Sequence, residues 1–128
     1  MLKKDFIMVQ IEQLAKIVLQ IVNHRDTNDT GRIPELIETV YSSLKIDHHQ
    51  LMTSQPSQLV EQLNEDDLGG LLRLEIAAKT LIEESYLYPD KRYEMLLRAK
   101  ALLEYIQTHD NTFSMERVSM IEEINNQI

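Results

Sequence analysis

Apolar residues recur along this chain at alternating spacings of three and four. Ile7, Ile11, Leu14, Val18 and Ile21 follow that rhythm, which places them on one face of a helix. Phe6, Ala15, Leu19 and Val22 widen the stripe, and the pattern predicts a long first helix over 3–23. Its apolar arc is wider than a surface helix needs, so it is expected to be central, with the other helices wrapped around it. If Phe6, Met8, Val9 or Leu19 stays exposed instead, the patch invites a protein partner or a second copy of the chain.

The polar run His24 to Gly31 predicts a loop. Pro34 suits the first turn of the next helix, where a missing N–H costs nothing. That helix carries Leu36, Ile37, Val40, Tyr41 and Leu44. Asp47 is a plausible N-cap for a short helix with Leu51 and Met52. Pro56 opens another, with Leu59, Val60 and Leu63 inward.

The segment 64–70, ending in Gly69-Gly70, is the clearest break in the chain. A helix over 71–87 follows, with Leu71, Leu74, Ala78, Leu81 and Ile82 as its stripe and Ala77 allowing close packing. Pro89 ends it, and Asp90 is expected to cap a helix running to about Gln107. The stripe expected there is Tyr93, Leu96, Leu97, Ala101, Leu103 and Ile106. The short connection makes these two helices antiparallel neighbours. A last helix starts near Ser114, with Met115, Val118, Ile121 and Ile124 along one side and a fraying tail.

No stretch alternates with the period of a strand, and only three glycines and three prolines serve as turn formers. The expectation is one all-α domain over 1–128. Its architecture is an irregular helical bundle, or a tetratricopeptide-like array, of about six helices. The hairpin over 71–107 is about as long as one tetratricopeptide repeat, and Ala99-Lys100-Ala101-Leu102-Leu103-Glu104 looks like the second helix of such a unit. The chain has no tryptophan and no second copy at a fixed period.

Two segments carry a more specific likeness. Lys4-Asp5-Phe6-Ile7-Met8, followed by Ile11-Glu12-Gln13-Leu14, resembles the opening of a family of short bacterial proteins of uncharacterised function. Gly69-Gly70-Leu71-Leu72-Arg73-Leu74-Glu75-Ile76-Ala77-Ala78 resembles a later part of the same family. The resemblance implies an all-helical, tetratricopeptide-like fold in a bacterial cytoplasm. It implies no activity.

Composition narrows the function classes. Twenty-one acidic residues against thirteen basic ones give a net charge of −8, and the basic residues are scattered. Nucleic-acid binders need a basic patch, so that class is not expected. No cysteine is present, which removes disulfides and thiolate metal sites. The N-terminal segment lacks the layout of a secretion signal, and no apolar run approaches the ~20 residues that span a bilayer. The expected setting is the cytoplasm, away from the membrane.

Candidate chemistry is sparse. His48 and His49 are adjacent and point apart on a helix, so a solvated helix start explains them better than a metal site. His24 and His109 sit where an imidazole favours a helix C-terminus. Glu-x-x-His, the signature of di-iron bundles, does not occur. The calcium-loop likeness of Asp26 to Gly31 fails at its twelfth position, which is Ile37. Gly69-Gly70 could present N–H groups to an anion, but Asp66 and Asp67 would repel it. Adjacent pairs such as Glu83-Glu84 diverge on a helix, while Glu12, Glu75 and Glu83 lie near apolar stripes.

No catalytic residue, metal ligand or cofactor is therefore expected. The leading expectation is a non-enzymatic interaction or scaffold module, with self-association possible. The alternative is a small-ligand sensor or an unrecognised enzyme with a pocket between helices. Tyr41, Arg73, Glu75 and Tyr86 are its candidate pocket residues.

Overall fold

A computed structural model describes residues 3–65 and 68–128, with the side chains of Lys3 and Lys4 left aside. The acidic pair Asp66-Asp67, and its expected repulsion of an anion, lies outside the described residues. Seven α-helices and no strand occur among the described residues. They are α1 (Lys3–Asp26), α2 (Ile33–Leu44), α3 (His48–Thr53), α4 (Pro56–Leu63), α5 (Gly70–Ser85), α6 (Arg92–His109) and α7 (Met115–Gln127). The chain is an all-α bundle.

Local chemistry sets most of the boundaries. Pro34 and Pro56 sit in the first turns of α2 and α4. Asp47 caps α3 through a reciprocal box, accepting from the Gln50 N–H while the Gln50 side chain accepts from the Asp47 N–H. Ser114 caps α7 by accepting from the Arg117 N–H. Lys45 closes α2 in the left-handed conformation at φ 58°. Asp90 does not cap α6. Pro89–Lys91 instead forms a 3-10 turn that delays α6 to Arg92.

The turn before α5 needs glycine at both positions. Gly69 has φ 83°, in the left-handed region. A Cβ on Gly70 would lie 2.5 Å from the Val60 carbonyl oxygen and 2.4 Å from Asn64 Oδ1. That closeness lets Asn64 Oδ1 accept from the Gly70 N–H at 2.8 Å, satisfying a free donor at the start of α5.

The central helix is α5, and this corrects the expectation placed on α1. Most of the surface of α5 is buried, including Leu74, Ile76, Ala77, Ala78, Thr80 and Leu81, while the stripe of Leu72, Glu75, Lys79, Ile82 and its cap Tyr86 stays half-buried or exposed. Helix α1 buries only the stripe Ile7, Ile11, Leu14, Val18 and Ile21. Phe6, Met8, Val9 and Leu19 are all exposed.

Ala77 and Ala78 of α5 and Ala99 of α6 are fully buried, so the α5–α6 hairpin packs closely. The buried stripe of α6 is Met95, Leu96, Ala99, Leu102, Leu103 and Ile106, and Tyr93, Leu97 and Ala101 stay outside it. Met115 of α7 is exposed, while Val118 and Ile121 are half-buried and Ile124 is buried.

Long-range polar contacts fix the helix directions. Arg73 bonds Gln10 near the start of α1, and Glu83 bonds Arg25 near its end, so α1 and α5 run the same way. Arg117 bonds Glu75 and Gln107, while Arg92 donates to Gln127. Helix α7 is thus antiparallel to α6 and runs with α5. Three helices of common direction, α1, α5 and α7, share one side of the bundle.

Candidate functional site

That side of the bundle holds an open groove with a volume of about 530 Å³. Its floor is α5, through Ile76, Lys79, Ile82, Glu83 and Tyr86. One wall is α1, where Ala15, Leu19 and Val22 repeat at four and three. The other wall is α7, where Glu116, Met120, Glu123 and Gln127 repeat at four, three and four. Leu19 is 59% exposed, yet it projects from the shoulder that borders the groove.

Ion pairs hold the walls to the floor. Arg25 Nε donates to Glu83 Oε1 at 2.7 Å. Burial alone would lower the Arg25 pKa, but the bond to the Glu83 carboxylate outweighs it and the net shift is upward. On the α7 side Lys79 Nζ donates to Glu116 at 2.8 Å and lies 3.7 Å from Glu75. Arg117, only 3% exposed, donates to Glu75 at 2.6 Å, to Gln107 at 2.7 Å and to Asp110 at 3.0 Å.

At the far end of the groove the guanidinium carbons of Arg25 and Arg92 lie 4.4 and 4.2 Å from the ring centre of Tyr86. Such contacts fix the ring and hold the end of the groove in shape. Both cations that line the groove are already paired with carboxylates. Glu123 has no ion-pair partner among the described residues.

A second cavity, of about 320 Å³, lies between α2, the start of α3 and the end of α5. Glu84 is 8% exposed there, and its Oε1 accepts from the Tyr41 hydroxyl at 2.9 Å. The same oxygen lies 2.7 Å from His48 Nδ1. Burial pushes the Tyr41 hydroxyl far above its ordinary pKa, and the Glu84 charge and hydrogen bond push the same way. His48 keeps a side chain 41% exposed at the start of α3, as expected, but it also reaches the Glu84 carboxylate, which the sequence did not show. His49 is exposed.

The four pocket candidates do not converge. Tyr41 lies in the smaller cavity and Tyr86 in the groove. Glu75 is held by Arg117 behind the α7 wall. Arg73 lies in neither space. It is 4% exposed, donates twice to Gln10 Oε1 at 3.0 and 2.7 Å, and donates to the Leu63 carbonyl at 2.8 Å. That carbonyl is at the C-terminus of α4, so Arg73 ties α4 to α1.

Comparison with known protein families, with characterised proteins and with solved structures finds no match to this chain.

The exposed residues of α1 divide by direction. Met8, Ala15, Leu19 and Val22 share the shoulder that meets the groove, since seven, four and three residues bring a helix back to nearly the same side. Phe6 lies toward the opposite shoulder, and Val9 lies between the two on the outer face. Only Leu19 of the four candidates lines the groove itself.

Glu83 and Glu84 were expected to diverge, and they do, to Arg25 and Tyr41 respectively. No group of three or more His, Cys, Asp or Glu suited to a metal ion occurs among the described residues. No described helix is long and apolar enough to cross a membrane.

Proposed function

We propose that the chain is a non-enzymatic interaction module that seats one amphipathic helix of a partner protein in the α1–α5–α7 groove. The observation that carries this reading is Leu19, a large apolar side chain left 59% exposed on the wall of an open groove. Helix-in-groove recognition uses anchors at spacings of three and four, and the groove walls present complementary stripes at those spacings.

The partner's chemistry follows from charge. The groove's own cations are neutralised internally, Glu123 is unpaired among the described residues, and the chain carries −8 overall. The matching occupant has an apolar stripe flanked by basic residues. The wall from Ala15 to Arg25 is about 15 Å long at 1.5 Å per residue, enough for about three turns of a bound helix.

Three helices of common direction lining one groove, with α2 and α6 outside them, also support the tetratricopeptide-like reading of the architecture. The proposal sets the protein in the cytoplasm, as the cysteine-free composition suggests, and gives it no nucleic-acid ligand.

The test is selection of binding peptides from a random helical display library on the purified chain. The selected peptides should carry apolar residues at three–four spacing with Lys or Arg beside them. They should lose at least tenfold in affinity for Leu19→Glu. Peptides that bind Leu19→Glu as tightly as the parent chain overturn the proposal. So does a purified chain whose groove is already filled by a second copy, seen as a dimer that Leu19→Glu converts to monomer.

A further inference from the structure

The smaller cavity has a character of its own. Three carboxylates line it, those of Glu38, Asp47 and Glu84, and no lysine or arginine does. Its imidazole, His48, offsets charge only when protonated. The remaining walls include the apolar side chains of Ile37 and Leu87 and the ring of Tyr88.

Glu84 is the unusual member. A carboxylate whose side chain is only 11% exposed normally has a permanent cation beside it, because desolvating an ion is costly. Glu84 has a phenol and an imidazole instead, both directed at Oε1. Its Oε2 accepts no hydrogen bond from any described residue. No buried polar side-chain atom is left without a partner, so this oxygen is open, and the cavity is the space that Glu84 lines.

We propose that this cavity binds a small organic ammonium ion, with its N–H groups donating to Glu84 Oε2 and its alkyl body against Ile37, Leu87 and Tyr88. A volume of about 320 Å³ fits such a molecule and sits at the small end of ligand sites. Apolar walls and one open carboxylate oxygen suit an organic cation. A hard metal ion demands six or more oxygen ligands, and no described group supplies them.

The experiment titrates the full chain with n-butylammonium chloride and follows backbone amides and the His48 ring by NMR. n-Butanol and sodium butyrate serve as the neutral and anionic counterparts. Saturable shifts at Ile37, His48 and Tyr88 are expected with n-butylammonium alone. Glu84→Gln, which keeps the size of the side chain, should weaken binding at least tenfold. If that variant does not fold, Glu38→Gln on the exposed rim of the cavity should weaken binding two- to threefold. Three results overturn the proposal: no saturable shift at these residues, equal binding of n-butanol or butyrate, or equal shifts with magnesium or calcium chloride. Unchanged affinity in whichever of the two variants folds also overturns it.

Discussion

Arg117 Nε donates to Glu75 Oε1 across 2.6 Å, joining residues 42 apart in the chain. This contact holds α7 beside α5 and so makes the second wall of the groove. The same guanidinium reaches Gln107 and Asp110, so one side chain also fixes the turn between α6 and α7. The surface proposed for docking depends on it.

Replacing Arg117 with methionine keeps most of the volume and removes all three bonds. It leaves the partly buried Asp110 without its cation and Glu75 with only Lys79, 3.7 Å away. The expected loss is about 2–3 kcal/mol, at or below the usual range for a broken buried pair because the carboxylates retain some water. Urea denaturation measures it. Hydrogen exchange should show α7 opening before α5 and α6.

Gly70→Ala tests the turn into the central helix. The added Cβ would come within 2.5 Å of the Val60 carbonyl oxygen, which belongs to backbone and cannot swing aside. An alanine in an ordinary helix is favourable by about 1 kcal/mol over glycine, so the expected sign here is reversed. The substitution should destabilise the chain by about 1–3 kcal/mol, the usual range for overpacking. Thermal unfolding of the variant checks the sign directly.

Tyr41 makes stability fall at alkaline pH. Its folded pKa is raised above the unfolded value near 10, so its neutral form is favoured by folding. The stability it contributes is complete below pH ~10 and is lost as the pH rises above that. Tyr41→Phe should flatten this alkaline decline. The ultraviolet titration of the parent chain should contain a late-ionising component that the variant lacks.

Helix positions and most caps, Asp90 excepted, were legible in the sequence because they depend on near neighbours. Asp47 with Gln50, Ser114 with Arg117, and the two helix-opening prolines each act within three or four residues. The identity of the central helix was not legible. The sequence marked Arg73 as a pocket candidate and Glu83 as lying near an apolar stripe, but it did not show that Arg73, Glu83 and Glu84 are each buried against a partner 36 to 63 residues away. Periodicity counts polar residues as outward, so a helix that buries much of its polar surface through paired charges looks more exposed than it is.

The candidate sites were hidden for the same reason. Tyr41, His48 and Glu84 come from three elements and meet only in three dimensions. The exposed shoulder of α1 was anticipated as a possibility, but its division was not. Leu19 faces the groove because α7 is held at a distance across α5, and that placement rests on Arg117.

The most direct test of the groove is methyl NMR of the chain with a helical peptide selected by display. Binding should shift the methyl signals of Ala15, Leu19, Val22, Ile82 and Met120, and leave those of Leu36 and Leu102 in place. Shifts centred on Phe6 and Val9, or spread over α2 and α6 with the groove unmoved, would contradict the assignment of this face as the docking surface.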